Sequence, residues 1–79
     1  MRHCCLNSTM LERAGYDEIS ETLWLWFNGS KKYAYYDVPA DVFEALCVAG
    51  SAGEYFNGHI KDRFRFRKDP ERRRFGPRS

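Results

Sequence analysis

The sequence predicts an α+β domain: a small, strongly bent antiparallel sheet of four to five strands, with two short helices between strand three and the last. Three observations predict it. Residues 22–36 hold six of the thirteen aromatics and divide into two strand-like runs around Asn28-Gly29. From residue 39 the apolar spacing lengthens from two residues to three and four. From residue 61 the two-residue alternation returns, with arginine at every other position.

The central hairpin organises the rest. Leu23, Leu25 and Phe27 alternate with Thr22, Trp24 and Trp26, and Asn-Gly tolerates the positive φ that a tight turn between twisted strands demands. Two registers compete, because a slip of one residue exchanges the faces of a strand. A two-residue turn would put Lys32 on the Leu23, Leu25, Phe27 face and bury its ammonium. A three-residue connection over residues 28–30, with a glycine bulge, instead sets Tyr33 beside Leu25 and Tyr35 beside Leu23, and leaves Trp24 and Trp26 with Lys32 and Ala34. The second is expected, since an unpaired buried lysine costs more than a bulge. Both faces of the hairpin are then largely apolar. One should line the core and the other should meet a helix, a partner or a ligand.

Taken in order, residues 3–6 read as an edge strand or a loosely held terminus, and residues 11–16 as the first full strand. Gly15 within it suggests a bulge or a close backbone approach. Asp37-Val38-Pro39 ends the strand after the hairpin, and proline suits the first turn of a helix. Val42, Phe43, Leu46 and Ala49 form the apolar stripe of a helix over 39–49, with Gly50 as a left-handed terminator. Ser51-Ala52-Gly53-Glu54 fits a capping box and starts a second helix over about 52–59, with Tyr55 and His59 one turn apart. Residues 61–68 read as a final strand with Phe64 and Phe66 on one face and Arg63, Arg65 and Arg67 on the other. Residues 69–79 lack periodicity and are expected to form a basic, mobile tail to a single domain over 1–68.

A chain of 79 residues buries only about 60–65% of its unfolded surface, so a partner subunit would help its stability. No run of about 18 apolar residues is present and no signal-peptide core follows Met1, which predicts a cytoplasmic protein without a membrane contact. Three cysteines, two of them adjacent, fit reduced thiols. His3, Cys4 and Cys5 are metal-ligand types but lack the Cys-x-x-Cys spacing of a zinc site, so no metal or other cofactor is expected. Charge is segregated. Residues 1–56 carry four basic and eight acidic side chains, a balance of −4, whereas residues 57–79 carry nine and three, a balance of +6. A basic end of this kind is the footprint of a protein that meets a polyanion.

The chain also resembles the KTSC family, small domains found at the C-terminus of some lysyl-tRNA synthetases and as free-standing bacterial and phage-type proteins. The carriers are Ala14-Gly15-Tyr16-Asp17, residues 22–27, Tyr33-Ala34-Tyr35, Asp37-Val38-Pro39, and Glu54-Tyr55-Phe56-Asn57 with His59-Ile60. The resemblance runs from about residue 8 to residue 68. It departs at Trp24 and Trp26, where family members are more often polar, and in the arginine-rich tail. It implies a small α+β domain whose strands curl into an Sm-like or SH3-like barrel, and it suggests RNA binding.

Two functions follow as expectations. In the first, a non-catalytic module binds single-stranded or structured RNA: Lys61, Arg63, Arg65, Arg67 and Lys68 meet phosphates, with Tyr33, Tyr35 and His59 near the bases. In the second, Trp24 and Trp26 form the interface of a protein-interaction or self-assembling module, with a homo-oligomer as its product. Catalysis is not expected. No serine or cysteine is placed as a nucleophile beside His59, and Gly50-Ser51-Ala52-Gly53 lacks the lysine and spacing of a phosphate loop, so no small-molecule substrate is implied.

Overall fold

The structure, a computed structural model, describes residues 1–6, 8–29 and 31–68; the expected basic tail over 69–79 lies outside the described residues. Seven elements follow one another: β1 (Arg2–Cys5), β2 (Leu11–Asp17), β3 (Thr22–Phe27), β4 (Lys31–Tyr35), α1 (Ala40–Val48), α2 (Ala52–His59) and β5 (Phe66–Lys68). The strands form one antiparallel sheet in the order β1-β2-β3-β4-β5. This is an open meander. The four-residue β1 and the three-residue β5 lie at opposite edges, so the open sheet forms rather than the barrel.

The hairpin adopts the register that keeps Lys32 out of the core. Leu25 faces Tyr33, Leu23 faces Tyr35, and Trp24 and Trp26 face Ala34 and Lys32. Gly29 supplies the positive φ of the turn, at +88°. The bulge of β2 lies between Leu11 and Arg13 rather than at Gly15. Gly15 instead permits a close approach: a β-carbon there would stand 3.1 Å from the His3 ring and 3.2 Å from the Trp26 ring.

Register separates the two faces. On the inner face, Arg2, Tyr16, Leu23, Tyr35 and Phe66 form one row and Cys4, Ala14, Leu25, Tyr33 and Lys68 the next. On the outer face, His3, Gly15, Trp24, Ala34 and Arg67 form one row and Cys5, Arg13, Trp26 and Lys32 the next. Both helices pack on the inner face, where Phe43, Leu46, Phe56 and Ile60 join Leu11, Tyr16, Leu23, Leu25 and Tyr35 in one buried cluster. Phe43 stacks on Tyr16 at 5.4 Å, and Phe56 meets Phe27 and Tyr35 edge-on. The buried Tyr16 hydroxyl donates to the Val38 carbonyl, which fastens β2 to the segment entering α1.

The helices start and stop for local reasons. Pro39 precedes α1 in extended conformation, and Ser51 Oγ accepts the Glu54 N–H at 3.3 Å at the start of α2. The left-handed terminator expected at Gly50 is not used. Ala49 ends α1 in extended backbone, at φ −64° and ψ 141°.

Two further expectations are corrected. The last strand is shorter than 61–68: the Lys61 N–H bonds to the Phe56 carbonyl and the Arg63 N–H to the Ile60 carbonyl, so turns persist after α2 and strand pairing begins only at Phe66. Phe64 still packs against the core, but Phe66 is 53% exposed. The cysteines are not all reduced. Cys4 on the inner face of β1 is joined by a disulfide to Cys47 of α1, with Cα atoms 6.1 Å apart, while Cys5, pointing the other way, is exposed and free. No helix among the described residues is long and apolar enough to cross a membrane.

The disulfide closes a loop with a sequence separation of 43, which restricts the unfolded chain. Reduction, or Cys4→Ser, is therefore expected to lower the unfolding free energy by about 2–4 kcal/mol. Cys5→Ser should leave the urea midpoint unchanged. The aromatic core adds a pH dependence on the alkaline side. Burial first, then the neighbouring Tyr33 and Asp62, raises the Tyr35 phenol from 10.0 to about 12. A raised folded pKa means that the folded state holds its proton longer, so this contribution is whole below pH 10.0 and is lost as pH rises toward about 12. Urea midpoints are expected to fall across that window, less steeply for Tyr35→Phe; an identical fall in the two proteins would contradict the assignment.

Candidate nucleic-acid interface

The outer face of β3 exposes the side of the strand that the helices do not cover. Trp24 and Trp26 are absent from the buried cluster and from the residues packed on it, so α1 does not shield them. Their shield comes from neighbouring strands. The Arg13 guanidinium lies over the Trp26 ring at 4.4 Å, and Lys32 Nζ lies 5.2 Å from the Trp24 ring and 5.7 Å from that of Trp26. His3 approaches Trp26 at 6.2 Å. Both indoles are half-buried as a result.

This arrangement follows from pairing. Lys32 stands directly across from Trp26 and Arg13 on its other side, so two cations flank one indole in a single row. Arg67 of β5 is paired with Ala34, which places it in the row that contains Trp24. The face therefore joins two indoles with three basic side chains drawn from β2, β4 and β5. Asp17 stands at the far end, opposite Thr22, where the Ile19 N–H, with Ser20, holds its carboxyl below the usual range and keeps it ionised.

Arg67 also belongs to a neighbouring concavity of about 610 Å³, lined by Tyr36, Arg63, Arg65, Phe66 and Arg67 among others. Tyr36 is held there by its N–H, which donates to the Arg65 carbonyl at 2.9 Å. Arg65 pairs at 3.2 Å with Asp37, a contact exposed on both sides and thus of little energetic weight. The three arginines of the last segment share this surface although only Arg67 belongs to the strand.

The other residues expected at an RNA site are distributed elsewhere. Tyr33, Tyr35 and Lys61 line a second concavity on the inner side of β4, and Tyr35 is only 4% exposed. Lys68 is paired with Tyr33, also on the inner face. His59 is exposed at the end of α2 and stacks on Tyr55 at 4.4 Å. Sequence reasoning missed Arg13, His3 and Tyr36. Arg13 reaches Trp26 only because of the bulge after Leu11, which no turn residue announces. Tyr36 depends on where β5 begins. Among the described residues, no group of three or more His, Cys, Asp or Glu side chains converges as a metal site would require.

Comparison with known proteins agrees with this architecture. The family model of the KTSC domain matches residues 7–64. A protein of Tsukamurella paurometabola is 45% identical over 60 residues, covering 76% of this chain and 90% of its own. An uncharacterised protein of Stutzerimonas stutzeri is 37% identical over 61 residues, covering 77% of this chain and 86% of its own. A lysine–tRNA ligase of Nostoc punctiforme is 34% identical over 58 residues, 73% of this chain but 10% of the ligase. Among solved structures, the crystal structure of a KTSC domain protein from Yersinia pestis superposes with a TM-score of 0.80 at 30% identity, covering 85% of this chain and 94% of that one. With the family model spanning most of the sequence and a whole-domain structural match beside it, the chain belongs to the KTSC domain family.

Proposed function

We propose that this KTSC domain is a non-catalytic module that binds single-stranded RNA across the outer face of its sheet. The observation that carries the reading is the placement of Arg13, Lys32 and Arg67 around Trp24 and Trp26 on one uncovered face. Phosphates engage the cations, and unpaired bases stack on the indoles. The concavity lined by Tyr36, Arg63 and Arg65 meets this face at Arg67 and extends the positive track past the sheet edge. Similarity to a segment of lysine–tRNA ligases supports the same direction, since an enzyme of that name handles RNA.

The alternative, self-assembly through Trp24 and Trp26, uses the same face. A symmetric pairing of two copies there would bring together two faces that each carry Arg13, Lys32 and Arg67, and a net like charge across an interface is unfavourable. The face is accordingly better suited to a polyanion than to itself.

Binding of a short single-stranded RNA is expected to weaken with added salt, with quenching of tryptophan fluorescence by stacked bases. If the three outer-face cations each meet a phosphate, the combined Arg13→Gln, Lys32→Gln, Arg67→Gln variant should flatten the log–log salt slope by about 2. Arg63→Ala with Arg65→Ala should flatten it further. Anisotropy titrations at several salt concentrations, with sedimentation to follow self-association, check both readings. Salt-insensitive or absent binding would reject the RNA reading, and dimerisation abolished by substitution of Trp24 would favour the alternative.

A further inference from the structure

The second concavity, about 340 Å³ in volume, lies on the inner side of β4 between the sheet and the end of α2. This is near the lower end of the roughly 300–1,000 Å³ that ligand sites occupy, a volume suited to one small molecule rather than to a run of polymer. Its walls are aromatic. Phe27 and Tyr33 meet edge-on at 5.1 Å, and Phe66 lies 5.3 Å from Tyr35 and 5.7 Å from Tyr33. Phe56 closes the floor, edge-on to Phe27 at 5.4 Å and to Tyr35 at 5.8 Å. Yet Phe66, on a strand of three residues, remains 53% exposed, so the ring stack has an open member.

The polar groups at this cup are few and of defined kinds. Lys31 and Lys61 line it and are both exposed, as is the amide of Asn57. Asp62 adds an acceptor, on a backbone held at φ +65°. A flat ring that stacks on Phe66, with the Tyr33 ring tilted at 45° beside it, would find both a donor and an acceptor for its edge in Asn57, and two ammonium groups for an attached anion. An apolar ligand would leave the lysines unused, and a simple anion would leave the rings unused.

We propose that this cup holds one unstacked nucleotide, its base against Phe66 and Tyr33, its edge on Asn57 and Asp62, and its phosphate between Lys31 and Lys61. The proposal deepens the RNA reading, on which its biological setting rests, but the cup lies on the opposite side of the sheet from Trp24 and Trp26. The nucleotide can be a residue of an RNA chain or a free mononucleotide; the chemistry recognised is the same.

The test is an NMR titration of the whole protein with uridine and adenosine 5′-monophosphates, with the parent nucleosides and with inorganic phosphate. The expected result is movement of the Phe66 and Tyr33 ring signals and of the Asn57 side-chain amide with the nucleotides. Phosphate alone should not move the rings, and nucleosides should bind more weakly. Since stacking on one ring contributes about 1–3 kcal/mol, Phe66→Ala should weaken the nucleotide by about fivefold or more. Phe66 stacking also helps to attach β5, so Lys61→Gln, which leaves that stacking intact, provides an independent variant. Shifts reproduced by phosphate alone, or unaltered affinity in both variants, would overturn the cup. An RNA oligomer that binds while mononucleotides leave the rings unmoved overturns the cup and spares the outer-face reading. Mononucleotide shifts without oligomer binding do the reverse.

Discussion

Strand β3 is apolar on both sides, while the helices among the described residues cover only one. Leu23 and Leu25 claim that cover, packing under Phe43, Leu46 and Phe56. Trp24 and Trp26 are left on the far face of a sheet that opens to water. An indole in this position needs a shield that is itself soluble, and long cationic side chains provide it: their stems lie on the ring while their charged ends stay hydrated. Arg13 and Lys32 do this from the two strands flanking β3. The rest of the outer face follows from that solution, including Gly15, where a side chain would crowd the Trp26 and His3 rings.

The inner face solves a different problem. A 79-residue chain has little core to spare, and the short edge strand β1 would be weakly held by pairing alone. The Cys4–Cys47 link, the buried Tyr16 hydroxyl on Val38 and the two-sided contact of Arg2 with Glu18 and Glu44 all tie the β1–β2 edge to the helix layer or to the segment that leads into it. At the opposite edge β5 has no such tether among the described residues. Its attachment is the pairing with β4 and the stacking of Phe66 on Tyr35 and Tyr33.

What could be read from the sequence depended on whether a local rule had a strong competitor. The hairpin register was legible because the alternative buries the Lys32 ammonium, a cost far above that of one extra turn residue. Helix α2 was legible from Ser51 and Glu54, whose contact is local. The last strand was not, because the alternation of Phe64, Arg65, Phe66 and Arg67 continues back through residues that backbone bonds from Lys61 and Arg63 hold in turns. The disulfide was hidden as well: Cys4 and Cys47 are far apart in sequence, and their meeting depends on which face of β1 turns inward. For the candidate site, the cations of the last segment were visible as composition. Their partition between a face bearing Trp24 and one bearing Tyr33 requires the β4–β5 register, in which Arg67 and Lys68 point opposite ways.

The shield over the indoles also bears on how such a face would engage a polyanion. Lys32 lies within cation–π range of both rings, so its charge is already partly satisfied and its stem is already ordered. A phosphate arriving above it meets a cation held in place rather than one that must be immobilised, which reduces the entropy lost on contact. Lys32 and Arg13 thus give the apolar outer side of β3 a charged cover, and in the binding mode we propose that cover and the rings beneath it would offer cation and stacking surface side by side.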